Sequence, residues 1–464
     1  MTNPHPQPAS LDIDALRGRV RGRVLAPGDD GYDQARVVAL GGIDRRPAVI
    51  VRVVDTADVR EVIALARATG LELAVRAGGH SGAGHSVVDA GIVLDVRDLV
   101  ALEIDAEERT AWAGAGLSAG AYTAAVAEHG LVTGFGDTGS VGIAGITLGG
   151  GVGYLVRKHG LTIDSLLGAE LVTADGEVHL VDETHEPDLF WAVRGGGGNL
   201  GVVTRLRFRL YPEARVTGGM LLLPATPGTV AGAVRLLDEA PEALSGIVNV
   251  MPCPPMPFVA PEHHGTVVIM ALLCFAGPDE EAAAVLAPFR GLATPVADLL
   301  RPMAYPDLYP PDRPNDSPSD HPRAVSRTLF LDAFDEGAAS LALDRLAALD
   351  APLRVLQLRA LGGASARVPV EATAYAHRDR RFMANVAAFH GDADGAEKLA
   401  WVEALARDLG PAPGAYVNFL ADEGPERVRA AYPGATWDRL AAIKRRYDPD
   451  NLFHHTQNVP PPVA

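Results

Sequence analysis

Residues 47–54, PAVIVRVV, are an almost unbroken apolar run between a proline and an aspartate, which predicts a buried strand. Thr56 then stands where a helix N-cap is wanted. Val59, Val62, Ile63 and Ala66 recur on one helical face, and Gly70 offers the stop. A second short strand is predicted at Leu73–Arg76, so strand, helix and strand form one βαβ unit. The chain next enters a glycine-rich turn, AGGHSGAGH at 77–85, before another apolar strand at 92–96. A glycine-rich turn at the end of a strand is where α/β proteins seat cofactor phosphates.

A second glycine block, GFGDTGSVGIAGITLGGGVG, occupies 134–153. Alternating strands at 169–173 and 178–181 follow, turning on Asp175–Gly176 as a hairpin. A third block, RGGGGN at 194–199, feeds a strand at 202–210. No block of similar density occurs after residue 212, so a first domain is placed at 1–212, with its core at about 44–212. Beyond it, alanine-rich helical stretches at 280–287 and 336–350 alternate with short strands such as 266–272 and 353–359. Proline-rich segments at 252–261 and 302–323 read as loops, and the second is long enough to be a site rim. Residues 213–434 are therefore read as an α+β substrate-side domain, and 435–464 as a tail that returns to the first. There are no internal repeats.

With 464 residues, 48% hydrophobic and 21% charged, the chain has room for two such domains with substantial cores. Its net charge of −17 argues against nucleic acid and anionic membrane as partners. A bound phosphate would then be held by backbone N–H groups rather than by lysines. Cys253 and Cys274 are too few for a disulfide framework or a cysteine zinc site. His454 and His455 are adjacent, which does not suit a tetrahedral metal site, so they are taken as a surface pair and no metal is expected. The start of the chain has no basic-then-apolar leader, and no run of 18 apolar residues occurs, so a cytoplasmic, soluble protein is expected.

Clustered glycines mark backbone that needs φ > 0 or comes close to a ligand, and successive inward N–H groups form an anion nest. A nicotinamide-binding domain would need G-x-G-x-x-G at the first strand-to-helix turn. That turn here is VDTAD, 54–58, with no glycine.

The ordered motifs VRAGGHS (75–81), GSVGIAG…GGGVG (139–153), LFWAVRGGGGNLGVV (189–203), YVN (416–418) and YDPDNLF…NV (447–459) resemble the berberine-bridge-enzyme-like flavoproteins of the vanillyl-alcohol oxidase/p-cresol methylhydroxylase superfamily. Small bacterial oxidases of the 6-hydroxynicotine oxidase type are the nearest in character. The resemblance implies an α+β fold: a two-subdomain PCMH-type FAD-binding domain, and a substrate domain whose antiparallel sheet roofs the flavin ring.

Carried over position by position, it implies that His80 bonds covalently to the flavin 8α-methyl group. Arg76, Ala77, Gly78, Gly79, Ser81, Gly82, Gly84 and His85 would surround it from the first block. Gly139, Gly142, Gly145 and Gly153 would contribute from the second, Gly201 and Val203 from the third, and Asn418 and Asn458 from the C-terminal motifs. Imidazole is a nucleophile near neutral pH, and the bond would raise the flavin's affinity for electrons. Relatives with a second, cysteinyl link carry that cysteine where this chain has Thr138, so a single link is expected. Val141 occupies the family's gatekeeper position, where valine goes with oxidases.

On the substrate side the resemblance points to Tyr416 as orienting group or base. Asn385 stands where relatives carry a glutamate or glutamine, and Gln357 and His390 are further polar candidates. Asparagine cannot take a proton at neutral pH but can hold a substrate by hydrogen bonds. The leading expectation is an FAD-dependent oxidase that takes a hydride from a C–H next to a hydroxyl or amine of a small organic molecule and reduces O2 to H2O2. The alternatives are a natural-product tailoring dehydrogenase or oxygenating flavoenzyme, and a flavin- or ligand-binding protein without turnover.

Overall fold

The computed structural model describes residues 11–309, 321–410 and 414–462. Strands β1 (Arg23–Leu25), β2 (Val49–Arg52), β3 (Leu73–Arg76) and β4 (Ile92–Asp95) form a four-stranded sheet in the order β1-β2-β4-β3. The central β4 is buried at every position and pairs in parallel with both β2 and β3, which is why its sequence is continuously apolar up to Asp95. The helix between β2 and β3, Thr56–Thr69, buries Val59, Val62, Ile63 and Ala66. Its N-cap is Asp55 rather than Thr56: the Asp55 carboxylate accepts the Asp58 N–H at 2.9 Å. Gly70 ends the helix in the left-handed region, φ 69°.

The second sheet contains β5 (Leu102–Asp105), β6 (Thr110–Gly114), β7 (Leu166–Val172), β8 (Val178–Val181) and β9 (Val202–Arg209), ordered β5-β6-β9-β7-β8 and antiparallel throughout. The β7–β8 hairpin turns through 173–177. There Asp175 accepts from the Thr173 hydroxyl at 2.6 Å and the Glu177 N–H at 3.1 Å, and Gly176 takes φ 83°.

The third sheet is larger: β10 (Arg215–Pro224), β11 (Leu244–Pro252), β12 (Val267–Phe275), β13 (Ala297–Asp298), β14 (Arg301–Ala304), β15 (Arg323–Leu331), β16 (Arg354–Ala360) and β17 (Phe382–His390). It runs β13-β10-β12-β11-β16-β17-β15, with β14 also paired to β10. Helices Pro227–Glu239, Asp279–Arg290, Glu336–Ala348 and Gly395–Asp408 cover one face and bury Val248, Val250, Leu356, Leu358, Ala384 and Val386. Because side chains alternate, the other face carries Asn249, Gln357, Asn385 and Thr328, which the register sets side by side across four strands. This second face is turned toward the two smaller sheets.

Two buried ion pairs fasten the parts. Arg378 grips Asp164 with two bonds of 2.7 Å. The C-terminal helix Ala435–Tyr447 packs on helix Pro187–Val193, and inside it Lys444 Nζ donates to Asp448 (2.7 Å), the Asn199 carbonyl (2.7 Å) and the Phe453 carbonyl (3.0 Å). Of the proline-rich segment 302–323, the described part forms β14 and a tight turn at Tyr305–Leu308, and 310–320 lie outside the described residues. Among the described residues no helix is long and apolar enough to cross a membrane.

Candidate active site

The first two glycine blocks pack back to back. A Cβ at Gly78 would lie 2.3 Å from the Gly142 nitrogen, and one at Gly142 would lie 2.4 Å from the Gly78 nitrogen, so neither position admits a side chain. Between these loops, the third block and the C-terminal tail lies a cavity of about 360 Å³. Ala77, Gly78, Gly79, His80, Ser81 and His85 line it from the first block, and Thr138, Val141, Gly142 and Gly145 from the second. Gly201, Val203, Tyr416 and Asn418 also face it.

His80 stands half-buried on the wall with Nε2 3.2 Å from the Ser140 hydroxyl. Tyr416 is 2% exposed, and its hydroxyl accepts from the Gly151 N–H (2.9 Å), the Val152 N–H (3.3 Å) and the Asn418 amide (3.0 Å). Burial holds this phenol above its ordinary pKa, the opposite of what a base needs, so its geometry is that of an anchor for the glycine turn. Asn418 in turn donates to the Ile146 carbonyl at 2.9 Å, and a Cβ at Gly149 would fall 2.0 Å from its side-chain oxygen.

Arg76, Gly82, Gly84, Gly139, Gly153 and Asn458 are not on the cavity wall. Arg76 lies beneath the first block, where its guanidinium holds the Ala35 and Val37 carbonyls and burial pulls its pKa down to about 10. Gly153 is required by packing, since a Cβ there would sit 1.3 Å from the Phe135 carbonyl oxygen. Gly139 backs onto Tyr309, and Gly84, at φ 73°, onto Ile43. Asn385 and Gln357 belong to the large sheet above the cavity rather than to its wall, and His390 sits at the far end of β17, bonded to the Gly391 carbonyl.

Several wall residues carry no sequence signal of their own. Asp137, Phe419, Phe453 and Gln457 line the cavity, and so does His455, which corrects its reading as a surface residue. The His455 ring lies 2.8 Å from Glu72 at Nδ1 and 3.1 Å from Arg45 at Nε2, partners set by the fold alone. No lysine or arginine lines the cavity among the described residues, and no cluster of three or more potential metal ligands occurs among them.

His85 and His377 are both pushed down to about 4, by burial first and then by nearby cations, which for His85 include His455 and Arg45. Glu72 and Asp422 oppose this at His85 without overcoming it. Both rings are therefore neutral in the folded protein at pH values where the unfolded chain, near 6.5, takes up protons. Stability is expected to be complete above about pH 7 and to fall as pH drops from 6.5 toward 4, each group adding a slope of up to about 1.4 kcal/mol per pH unit. Urea midpoints at pH 7.5, 6 and 5 check this. A flat profile that His377→Leu leaves unchanged contradicts it.

The wall suits a dinucleotide. Gly78, Gly79, Gly142, Gly145 and Gly201 bring bare backbone to the wall, Leu73, Val75, Val96, Ile146 and Leu148 supply apolar contact, and a Cβ at Gly145 would meet nothing within 4 Å. The Ser86 hydroxyl on the wall and the Asn458 side-chain amide oxygen are buried without partners, as expected of groups that await a ligand.

Comparison with known proteins agrees. A family model described as "FAD binding domain" matches 47–182, and one described as "Berberine and berberine like" matches 415–460. The chain is 30% identical over 470 residues to (R)-6-hydroxynicotine oxidase of Paenarthrobacter nicotinovorans, covering 95% of this chain and 97% of that one. It is 31% identical over 469 residues to the FAD-linked oxidoreductase YvdP of Bacillus subtilis, covering 96% and 99%. The crystal structure of 6-hydroxy-D-nicotine oxidase from Arthrobacter nicotinovorans superposes with a TM-score of 0.84 at 26% identity, covering 96% and 98%. The glycine-walled cavity and these likenesses over nearly the whole chain place it in the berberine-like family of FAD-linked oxidoreductases, and the protein is an FAD-dependent oxidoreductase.

Proposed function

We propose that the protein is an oxidase with FAD tethered through His80, acting on a C–H next to a hydroxyl or amine of a small organic molecule. The reading is carried by one observation. His80 stands on the wall of a glycine-lined cavity, in a chain that is 30% identical along 95% of its length to an oxidase. Bound there, FAD would supply two-electron chemistry between the substrate C–H and O2.

The residues around it do the rest. The first and second glycine blocks would hold the diphosphate by backbone N–H groups, and the His80 imidazole would provide the single tether, with Thr138 standing where a cysteine would be needed for a second. Val141 stands on the wall, and valine at this position is what the resemblance associates with oxidases. Tyr416 and Asn418 fix the floor through the Gly151 and Ile146 backbone, while Asn385 and Gln357 above present amides that orient substrate. With Tyr416 held protonated by burial, an amine substrate reacts in its neutral form, which needs no protein base.

The test is peroxide yield against substrate oxidised over a panel of amines and alcohols, with the His80 peptide weighed after digestion. One H2O2 per substrate and a flavin-sized mass on that peptide are expected. Turnover that needs an added dye and ignores O2 would favour the dehydrogenase reading.

A further inference from the structure

The large sheet carries a charge that flavin binding does not explain. Arg359, on β16, is 4% exposed. Its Nη2 donates to Asp137, and its guanidinium carbon sits 5.1 Å from the centre of the Phe419 ring. Both neighbours line the cavity, so the guanidinium lies directly behind its wall. Yet Nε and Nη1 have no partner. A buried charged donor left unpaired is costly, so such a group marks a place where an acceptor arrives with a ligand.

The neighbouring row sharpens the picture. Gln357 donates to Asn249 at 2.9 Å, and Asn249 to the Met270 carbonyl at 3.1 Å, so the row is satisfied at its β12 end. At the other end the Asn385 side-chain oxygen and the Thr328 hydroxyl, opposite each other across β17 and β15, are buried without partners. Arg359 is the diagonal neighbour of Asn385, since Gln357 pairs with Asn385 and Arg359 with Met383. Such positions are about 7–8 Å apart, a span one small molecule bridges. The roof thus offers unpaired cationic donors at one point and an acceptor at the next. In a chain of net charge −17 whose cavity wall has no lysine or arginine among the described residues, Arg359 is a full positive charge held directly behind that wall. An unpaired guanidinium Nη–H is a charge-assisted donor to a carboxylate oxygen.

We propose that Arg359 anchors the substrate, and that the substrate carries a carboxylate, which takes Nη1 while Nη2 remains on Asp137. The inference rests on the oxidase reading of the cavity and names the class of molecule that enters it.

Flavin-loaded protein titrated with benzoate, benzamide and benzylamine, followed by the visible flavin spectrum, tests it. Benzoate is expected to bind roughly tenfold more tightly than either neutral or cationic probe. Arg359→Met should weaken benzoate about 30-fold and leave benzylamine within about threefold, the loss of one charge-assisted pair. Arg359→Lys should recover part of the affinity. Asp137→Asn, which removes the competing carboxylate, should tighten benzoate, a change that a purely structural strut would not produce. Should Arg359→Met fail to fold, the Lys and Asp137→Asn arms decide alone. Equal affinity for benzoate and benzylamine in the unaltered protein overturns the proposal, and so does wild-type benzoate binding in the Arg359 variants. Failure of the oxidase reading would look different: no flavin spectrum, or no re-oxidation by O2 after dithionite, measured on the same samples before any probe is added.

Discussion

Replacing His80 with alanine is expected to leave a folded protein whose colour stays in solution when the polypeptide is precipitated with acid. Turnover should fall about tenfold, equivalent to about 1.4 kcal/mol of barrier. The side chain is half-buried on the cavity wall and closes no core, so little stability depends on it. On the proposed reading the glycine-lined cavity, braced by Tyr416 and Asn418, would still hold the cofactor without the bond. What would disappear is the withdrawal of electron density through the proposed imidazole bond, and with it part of the driving force for hydride transfer. Absorbance of pellet and supernatant, together with kcat, reads both effects. Colour that still follows the pellet in this variant would place the tether on another residue.

Removing the charge of Lys444 is expected to be the most damaging single change in the fold. Lys444 and Asp448 are both 0% exposed, and every bond they offer is used: the ammonium on Asp448 and the Asn199 and Phe453 carbonyls, the carboxylate on the Leu452 and Phe453 N–H groups at 2.7 and 2.9 Å. Burial alone would discharge the lysine and draws its pKa down, and Asp448 opposes that pull. Lys444→Met strands the carboxylate in the interior, which costs about 3–5 kcal/mol. The combined Lys444→Met, Asp448→Leu variant should regain much of this, because no lone charge remains inside. Urea unfolding of the three proteins checks it. A single variant within about 1 kcal/mol of wild type would contradict the assignment.

The elements of the first lobe were legible where local rules decide them. Leu73–Arg76 and the stop at Gly70 lie where apolar spacing and a left-handed glycine require. The cap was misplaced by one residue because Asp55 and Thr56 are both good N-caps. Asp55 takes the role because its carboxylate reaches the Asp58 N–H, while Asp58 in turn accepts from Arg21, Gly22 and Val54. The clustering of glycines exposed the cavity wall but not its division of labour: Gly142 and Gly145 face the cavity, whereas Gly139 and Gly153 serve packing beside them. Arg359 and Asp137 are 222 residues apart, and His455 and Glu72 are 383 apart. No spacing or periodicity can announce contacts that only the closing of one lobe on another creates.

The cavity wall has an implication for the order of events in the cell. It is assembled from Ala77–Ser81 early in the chain and from Phe453 and Gln457 far later, with Lys444 tying the tail to the third glycine block. A nascent polypeptide still emerging from the ribosome has half a cradle. The prosthetic group can be enclosed only once Phe453 and Gln457 have been made and have folded back onto the first lobe, so capture of the flavin waits on the late part of the chain.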